Sequence, residues 1–265
     1  MVARFLSTLS LALLVAWGCA SPPPTFDEIP PAEELYQQGL ETLEGRRILG
    51  VYRHVDYSAA IETFQAIIDN YPYSDYAVLA ELKIADAYFD DGRYEEALSY
   101  YRDFGDLHPR NEKVPYTVFR AALCHTRRVK PPNRDQTATR DALVFLDQLL
   151  SKYPHSDYAE RAEVMWRDLR MRLALQIRSI GDFYMGRDEY QSAAERYRSL
   201  LNEYPGLGLD AETLYKLGVC YQKLNRGDEA ALIFQSIVQY YGRSSVAKDA
   251  QKQMARSTDF RPRAR

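Results

Sequence analysis

Long apolar runs, cysteine, histidine and a charge excess of either sign are all scarce in this sequence, and each scarcity removes a class of function. Three cysteines in 265 residues, Cys19, Cys124 and Cys220, form no CxxC and imply no disulfide framework. Cys124 and Cys220 each fall inside an apolar helical pattern and read as buried small hydrophobes. A bridge between them would require the fold to bring these distant positions together. The four histidines, His54, His108, His125 and His155, lack HExxH or any paired-ligand spacing, so no metal is expected. Gly206 and Gly208 in P-G-L-G-L are a pair in a turn, not a phosphate cradle. The carboxylates fall on exposed helical faces, where solvation explains them. No catalytic residues and no cofactor are expected, and the chain does not read as an enzyme. A formal net charge of −3 gives no basic footprint, which excludes nucleic acid as a partner.

The composition that remains is globular. Hydrophobic residues make up 46% and charged residues 27%, which argues against wholesale disorder. Tyrosine is abundant, 21 copies against 10 Phe and 2 Trp, and such amphipathic rings suit packed surfaces that stay half exposed.

The one uncharged run lies at the start, M-V-A-R-F-L-S-T-L-S-L-A-L-L-V-A-W-G-C. Arg4 precedes a stretch free of charge from Phe5 to Cys19. It is too short to span a bilayer comfortably but suits a secretory signal over residues 1–18. Gly18-Cys19 resembles a bacterial lipobox, in which Cys19 would carry diacylglycerol and an N-acyl chain. Ala16 stands where Leu is usual and Trp17 is bulky. Ala16-x-Gly18 would also satisfy an ordinary signal peptidase and release a secreted chain, but the lipoprotein reading is the favoured one. Ala20 stands in place of the Asp that, in the lipoproteins this start resembles, tends to retain the chain in the inner membrane; that resemblance implies the periplasmic face of the outer membrane. Residues 19–31, with S-P-P-P-T-F-D-E-I-P-P, read as a tether at roughly 3 Å per residue, able to hold the body about 30 Å from the lipid.

The body repeats. Residues 71–77 read Y-P-Y-S-D-Y-A and residues 153–159 read Y-P-H-S-D-Y-A; His108-Pro109, Tyr204-Pro205 and Tyr241-Gly242 keep the same phase. Ala60, Ala97, Ala142, Ala193 and Ala230 each stand twelve residues before these markers. Four and seven residues beyond each alanine come Phe64 and Ile67, Tyr101 and Phe104, Leu146 and Leu149, Tyr197 and Leu200, Phe234 and Ile237, one face of a helix. Gly181 and Gly218 each precede a tyrosine by three. The pattern L-G-x-x-Y…A-x-x-x-F…P resembles the tetratricopeptide repeat, a pair of antiparallel helices. Proline at 72 and 154 would stop one helix, with Ser74 and Ser156 capping the next and Asp75 and Asp157 at its positive end. The Y-P-x-S-D-Y-A motif is therefore punctuation.

The expected fold is all-α, a right-handed solenoid of five such hairpins. Residues 32–155 form repeats 1–3, residues 156–250 a long helix with repeats 4–5, and residues 251–265 a basic flexible tail. Spacing departs from regularity in three places. An insertion from Arg46 to Val55 must widen the turn of repeat one. R-R-V-K-P-P-N-R-D-Q-T-A-T-R forms a loop on one rim in repeat three. Fourteen extra residues without a breaker precede repeat four, close to four whole turns, which predicts one helix from about Asp157 to Met185.

Solenoids work through their concave face, lined here by first helices. In repeats 1–3 that set includes Tyr36, Leu40, Leu82, Phe89, Tyr116 and Phe119. Tyr36, Phe89, Tyr116 and Phe119, with Asp86 and Asp90 nearby, predict a groove for an extended peptide with aromatic side chains. The alternative is that some of these rings are core. The later set, Leu175, Arg178, Asp182, Tyr215, Val219 and Lys223, is more polar and suits a folded partner.

A lipobox-like start, a Pro-rich tether, five such repeats, the Arg134-Asp135-Gln136 loop and the N-E-K-V-P-Y approach to Tyr116 together resemble the BamD family of β-barrel assembly lipoproteins. The resemblance covers Pro30 to Tyr241. It implies a scaffold docking on the periplasmic domain of BamA and on other Bam lipoproteins, and receiving the aromatic C-terminal strand signals of unfolded outer-membrane proteins. Arg196 matches the basic residue that pairs with BamA. The rival reading is a periplasmic tetratricopeptide lipoprotein coordinating cell-wall synthesis or envelope division, which would need no aromatic groove.

Overall fold

The structure is a computed structural model that describes residues 29–48 and 52–259. The signal-like segment, Cys19 and most of the tether lie outside the described residues.

Among the described residues, eleven helices and one hairpin follow in the order α1 (Ala32–Glu44), β1 (Arg46–Ile48), β2 (Tyr52–His54), α2 (Tyr57–Asn70), α3 (Asp75–Asp90), α4 (Tyr94–Leu107), α5 (Val114–Thr126) and α6 (Thr137–Lys152). The chain continues through α7 (Ala159–Met185), α8 (Tyr190–Glu203), α9 (Asp210–Lys223), α10 (Gly227–Tyr240) and α11 (Ala247–Asp259). Each helix packs on its neighbours in sequence, and α1 also meets α3, as α9 meets α11. The molecule is an all-α solenoid of consecutive hairpins, α1/α2 to α9/α10.

The repeat markers are its core. All five marker alanines, and all ten residues four and seven beyond them, are at most 1% exposed. The glycine positions serve close approach. A Cβ on Gly39 would stand 2.6 Å from the Phe64 ring, on Gly181 2.7 Å from Tyr197 and on Gly218 2.7 Å from Phe234. Each ring therefore lies on the backbone of its own repeat's first helix.

Punctuation works as expected at the first motif. Helix α2 ends at Asn70, two residues before Pro72, and Ser74 Oγ accepts from the Ala77 N–H at 3.2 Å to cap α3. The expectation for Ser156 is corrected. Helix α7 begins only at Ala159, whose N–H donates to the Ser156 backbone carbonyl (3.0 Å), and the buried Ser156 hydroxyl has no partner among the described residues. The residue just before α7, Tyr158, packs its ring on Tyr116 and Phe119.

The Arg46 to Val55 insertion folds as an antiparallel hairpin, with Arg46 opposite His54 and Arg47 opposite Arg53. It turns off α1 at Gly45, where φ is +72°, and Arg53 donates to the Leu43 carbonyl at 2.8 Å. The loop of repeat three is tied down by buried Gln136, which donates to the Pro131 carbonyl at 2.7 Å and accepts from Thr139 at 2.8 Å.

Helix α7 runs 27 residues and reaches Met185, as the spacing predicts. Its first part, with Ala162 and Leu169, joins the core of α3–α6, and its last residues, Tyr184 and Met185, join that of α8–α11. Arginines bind the extra turns to both sides. Arg172 donates to Lys130 O (2.9 Å), while Arg170 donates to Glu203 O (2.7 Å) and lies 4.4 Å above Trp166.

The tail boundary at 251 is also corrected. Helix α11 continues to Asp259, with Ala250 fully buried and Met254 packed against the α8–α10 core. Tyr241-Gly242 is one more helix stop, and Ser244 and Ala247 repeat the spacing of Ser74 and Ala77. Phe260 to Arg265 lie outside the described residues.

Candidate functional site

On α3, Leu79, Lys83, Asp86 and Asp90 are spaced four, three and four apart and form a single stripe. Helix α5 brings Tyr116 and Arg120 against it, α1 brings Tyr36 and Leu43, and Tyr158 closes the far side. Two adjoining clefts result. One, of about 340 Å³, has Tyr36, Leu79, Leu82, Tyr116 and Tyr158 in its walls, with Lys83 and Lys113 at its edge. The other, of about 470 Å³, is lined by Arg53 and Val55 of the hairpin region with Arg120 and Asp90. Lys83, Asp86 and Tyr116 belong to both.

Asp86 organises the partition. It accepts from Tyr101 Oη at 2.6 Å and Tyr116 Oη at 2.5 Å, and Arg120 stands 3.5 Å away. Arg120 also donates from Nε to Tyr101 Oη (2.8 Å), lies 3.6 Å from Asp90 and stacks 3.9 Å above the Phe89 ring. Burial, followed by the charge of Asp86, pushes the Tyr101 and Tyr116 phenols far up, so both remain protonated donors. With these donors around it, the negative charge of Asp86 is largely answered within the wall.

The sequence expectations divide. Tyr36 is half-buried at the cleft, edge-on to Phe64 (5.6 Å) and tilted on Tyr76 (5.5 Å). Tyr116 faces both clefts. Phe89 and Phe119 do not line them: at 7% and 2% exposed they belong to the core. Arg120 roofs Phe89, and Tyr158 and Arg161 cover Phe119 at 5.4 and 4.8 Å. Arg196 is exposed on α8 and makes no hydrogen bond or ion pair among the described residues. Cys19 lies outside them. Among the described residues no group of His, Cys, Asp and Glu could hold a metal, and no helix is long and apolar enough to cross a membrane.

Leu79, Lys83, Arg120, Tyr158 and Arg53 are among the cleft residues that pattern reading missed. A signal existed for Arg120. Two of the five repeats carry Tyr rather than Phe or Leu four beyond the alanine, at 101 and 197, and the same two carry Asp after the small position, at 86 and 182. The repeats with Phe64, Leu146 and Phe234 carry Leu40, Leu123 and Val219 there. The structure pairs them accordingly: Asp182 accepts from Tyr197 Oη and from Lys216 Nζ, both at 2.6 Å. Lys216 and Arg120 each stand two residues before the next small position.

The family YfiO, described as outer membrane lipoprotein, matches residues 30–232. Three proteins named outer membrane protein assembly factor BamD are similar along most of their length. That of Rickettsia prowazekii is 28% identical over 227 residues, covering 86% of this chain and 87% of that one. That of Vibrio cholerae is 27% identical, covering 82% and 90%, and that of Caulobacter vibrioides 25% identical, covering 80% and 67%. Among solved structures, the TPR2AB-domain:pHSP90-complex of yeast Sti1 matches at 15% identity with a TM-score of 0.44, covering 86% of this chain and 83% of that one.

Proposed function

Because the chain belongs to the YfiO family of outer membrane lipoproteins, we propose that it is a non-enzymatic scaffold for β-barrel assembly, held on the periplasmic face of the outer membrane by lipid on Cys19. In this reading the two clefts receive the aromatic C-terminal ends of unfolded outer-membrane proteins. Arg196 and the later repeats dock the periplasmic domain of BamA and other Bam lipoproteins.

The observation that carries the reading is the adjacency of unlike clefts. An apolar cleft walled by three tyrosines and two leucines shares Lys83 with a cleft edged by Arg53 and Arg120. A terminal aromatic side chain fits the first, and the free carboxylate of the same residue then meets Lys83 and Arg53 of the second, where Arg120 is already engaged by Asp86 and Asp90. Asp86 does not repel it, since its charge is answered by Tyr101, Tyr116 and Arg120. Removing about 100 Å² of ring surface from water contributes about 2.5 kcal/mol, enough to anchor an otherwise extended chain.

Calorimetric titration with a ten-residue peptide ending in Phe tests it. Leu79→Asp with Lys83→Glu should weaken binding tenfold or more, and amidating the peptide's terminus should weaken it for the unmodified protein. Arg196→Glu should keep the peptide affinity while losing retention of the BamA periplasmic domain. An unchanged affinity in the folded double variant removes the cleft from the mechanism, and full retention by Arg196→Glu removes that residue from docking.

A further inference from the structure

Every helical hairpin has two rims, and in the first two repeats they differ. One rim carries the turns that contain Tyr71-Pro72 and His108-Pro109, together with the start of α1; the other carries the hairpin β1–β2 and the turn at Asp91. The chain leaves the body on the first rim at a fixed point. Tyr71 Oη donates to the carbonyls of Ile29 and Pro30, at 3.4 and 3.1 Å, and the Ile29 side chain packs against the core of repeat one. Cys19 stands ten positions before Ile29, a reach of at most about 35 Å.

That rim also holds exposed apolar groups which nothing in the fold uses. Tyr73, at the tip of the α2–α3 turn, is 102% exposed, and Leu107, the last residue of α4, is 67% exposed. The positions matching Tyr73 in the later turns are Arg110, His155, Gly206 and Arg243, so the turn beside the tether root carries a tyrosine at its tip; the last turn has Tyr240, 72% exposed, at the position matching Leu107. Arg110 lies exposed one turn further along; the exposed carboxylates of the same rim are Glu33 and Glu34 at the start of α1, Asp75, Asp106, and Glu112, which pairs with Lys113 at 3.0 Å. An amphipathic ring, an aliphatic tip and an arginine at the end of a short membrane tether fit the boundary between lipid headgroups and acyl chains.

We propose that the rim formed by Tyr73 and Leu107 rests on the bilayer surface, so that repeats 1 and 2 stand on the membrane that anchors the chain. This leaves the first-helix face standing off the membrane with its clefts open to the periplasm. The inference rests on the lipid anchor at Cys19 and does not depend on what the clefts bind.

The test uses the full acylated chain on vesicles of phosphatidylethanolamine and phosphatidylglycerol. A polarity-sensitive nitrobenzoxadiazole label is placed in turn at Tyr73→Cys, Leu107→Cys and, on the opposite rim, Asp91→Cys; Cys124 and Cys220 are buried and do not compete. The expected result is a shift to shorter wavelength at 73 and 107, with quenching by headgroup-proximal spin-labelled lipid, and neither effect at 91. Anchored protein showing no shift at 73 and 107, or a shift at 91 instead, overturns the proposal. Chain that fails to float with vesicles and has an N-terminal mass without lipid contradicts the anchor itself, a separable result that takes the proposal with it.

Discussion

A tyrosine placed where two helices pack obliges the neighbouring helix to supply an acceptor, since a buried hydroxyl without a partner costs about 1–3 kcal/mol. Asp86 and Asp182 meet that obligation at Tyr101 and Tyr197, and the phenylalanine repeats need no such residue. Tyr197→Phe should therefore destabilise the protein by about 1–2 kcal/mol, because Asp182 loses a donor. Adding Asp182→Val together with Lys216→Met should recover part of that loss, since the carboxylate and its ammonium partner go together and Phe234 with Val219 already occupies the equivalent positions. Urea unfolding midpoints check this, and losses that simply add would contradict it. At this scale the core was legible from spacing alone, because each marker alanine and its partners face one helix stripe. The cleft was legible only in part. Tyr116 and Phe119 lie three residues apart on α5, close enough in phase that periodicity does not separate wall from floor. Phe119 is floor because Tyr158 and Arg161 cover it, a contact between elements that spacing within α5 does not announce.

Among the elements, first helices are set by their small residue and second helices by their stop. The Gly218 backbone carries the Phe234 ring, whereas Gly227, the first residue of α10, faces open space. Gly218→Ala should thus lower stability by about 1–3 kcal/mol through overpacking. Gly227→Ala should leave it unchanged or raise it by about 0.5 kcal/mol, through lower entropy of the unfolded chain. Equal effects of the two substitutions on the urea midpoint would refute the close-packing role. Helix α7 was legible because its extra residues amount to nearly whole turns with no breaker. The hairpin at Arg46 to Val55 was legible only as an insertion, since its register depends on Gly45 and the Arg53 contact to Leu43. Helix α11 was missed although its Ser244 and Ala247 repeat the earlier punctuation, because no sixth alanine marker follows to announce it.

The whole molecule is a chain of local contacts: helices touch those one or two places away in sequence, with α7 spanning both cores. Such an architecture places function on continuous surfaces instead of in a closed site. The surface proposed for it is the first-helix face of repeats 1–3, where unlike clefts meet at Lys83, Asp86 and Tyr116. Site-specific photo-crosslinking measures its role most directly. A benzophenone side chain at Leu79, partly exposed in the apolar cleft, is irradiated with an unfolded β-barrel client and compared with the same group at Leu232 on α10. The account predicts crosslinks from position 79 that map to the client's last strand and disappear when its terminal aromatic is removed. Crosslinks of equal yield from position 232, or products from 79 spread along the client and indifferent to its terminus, would contradict it.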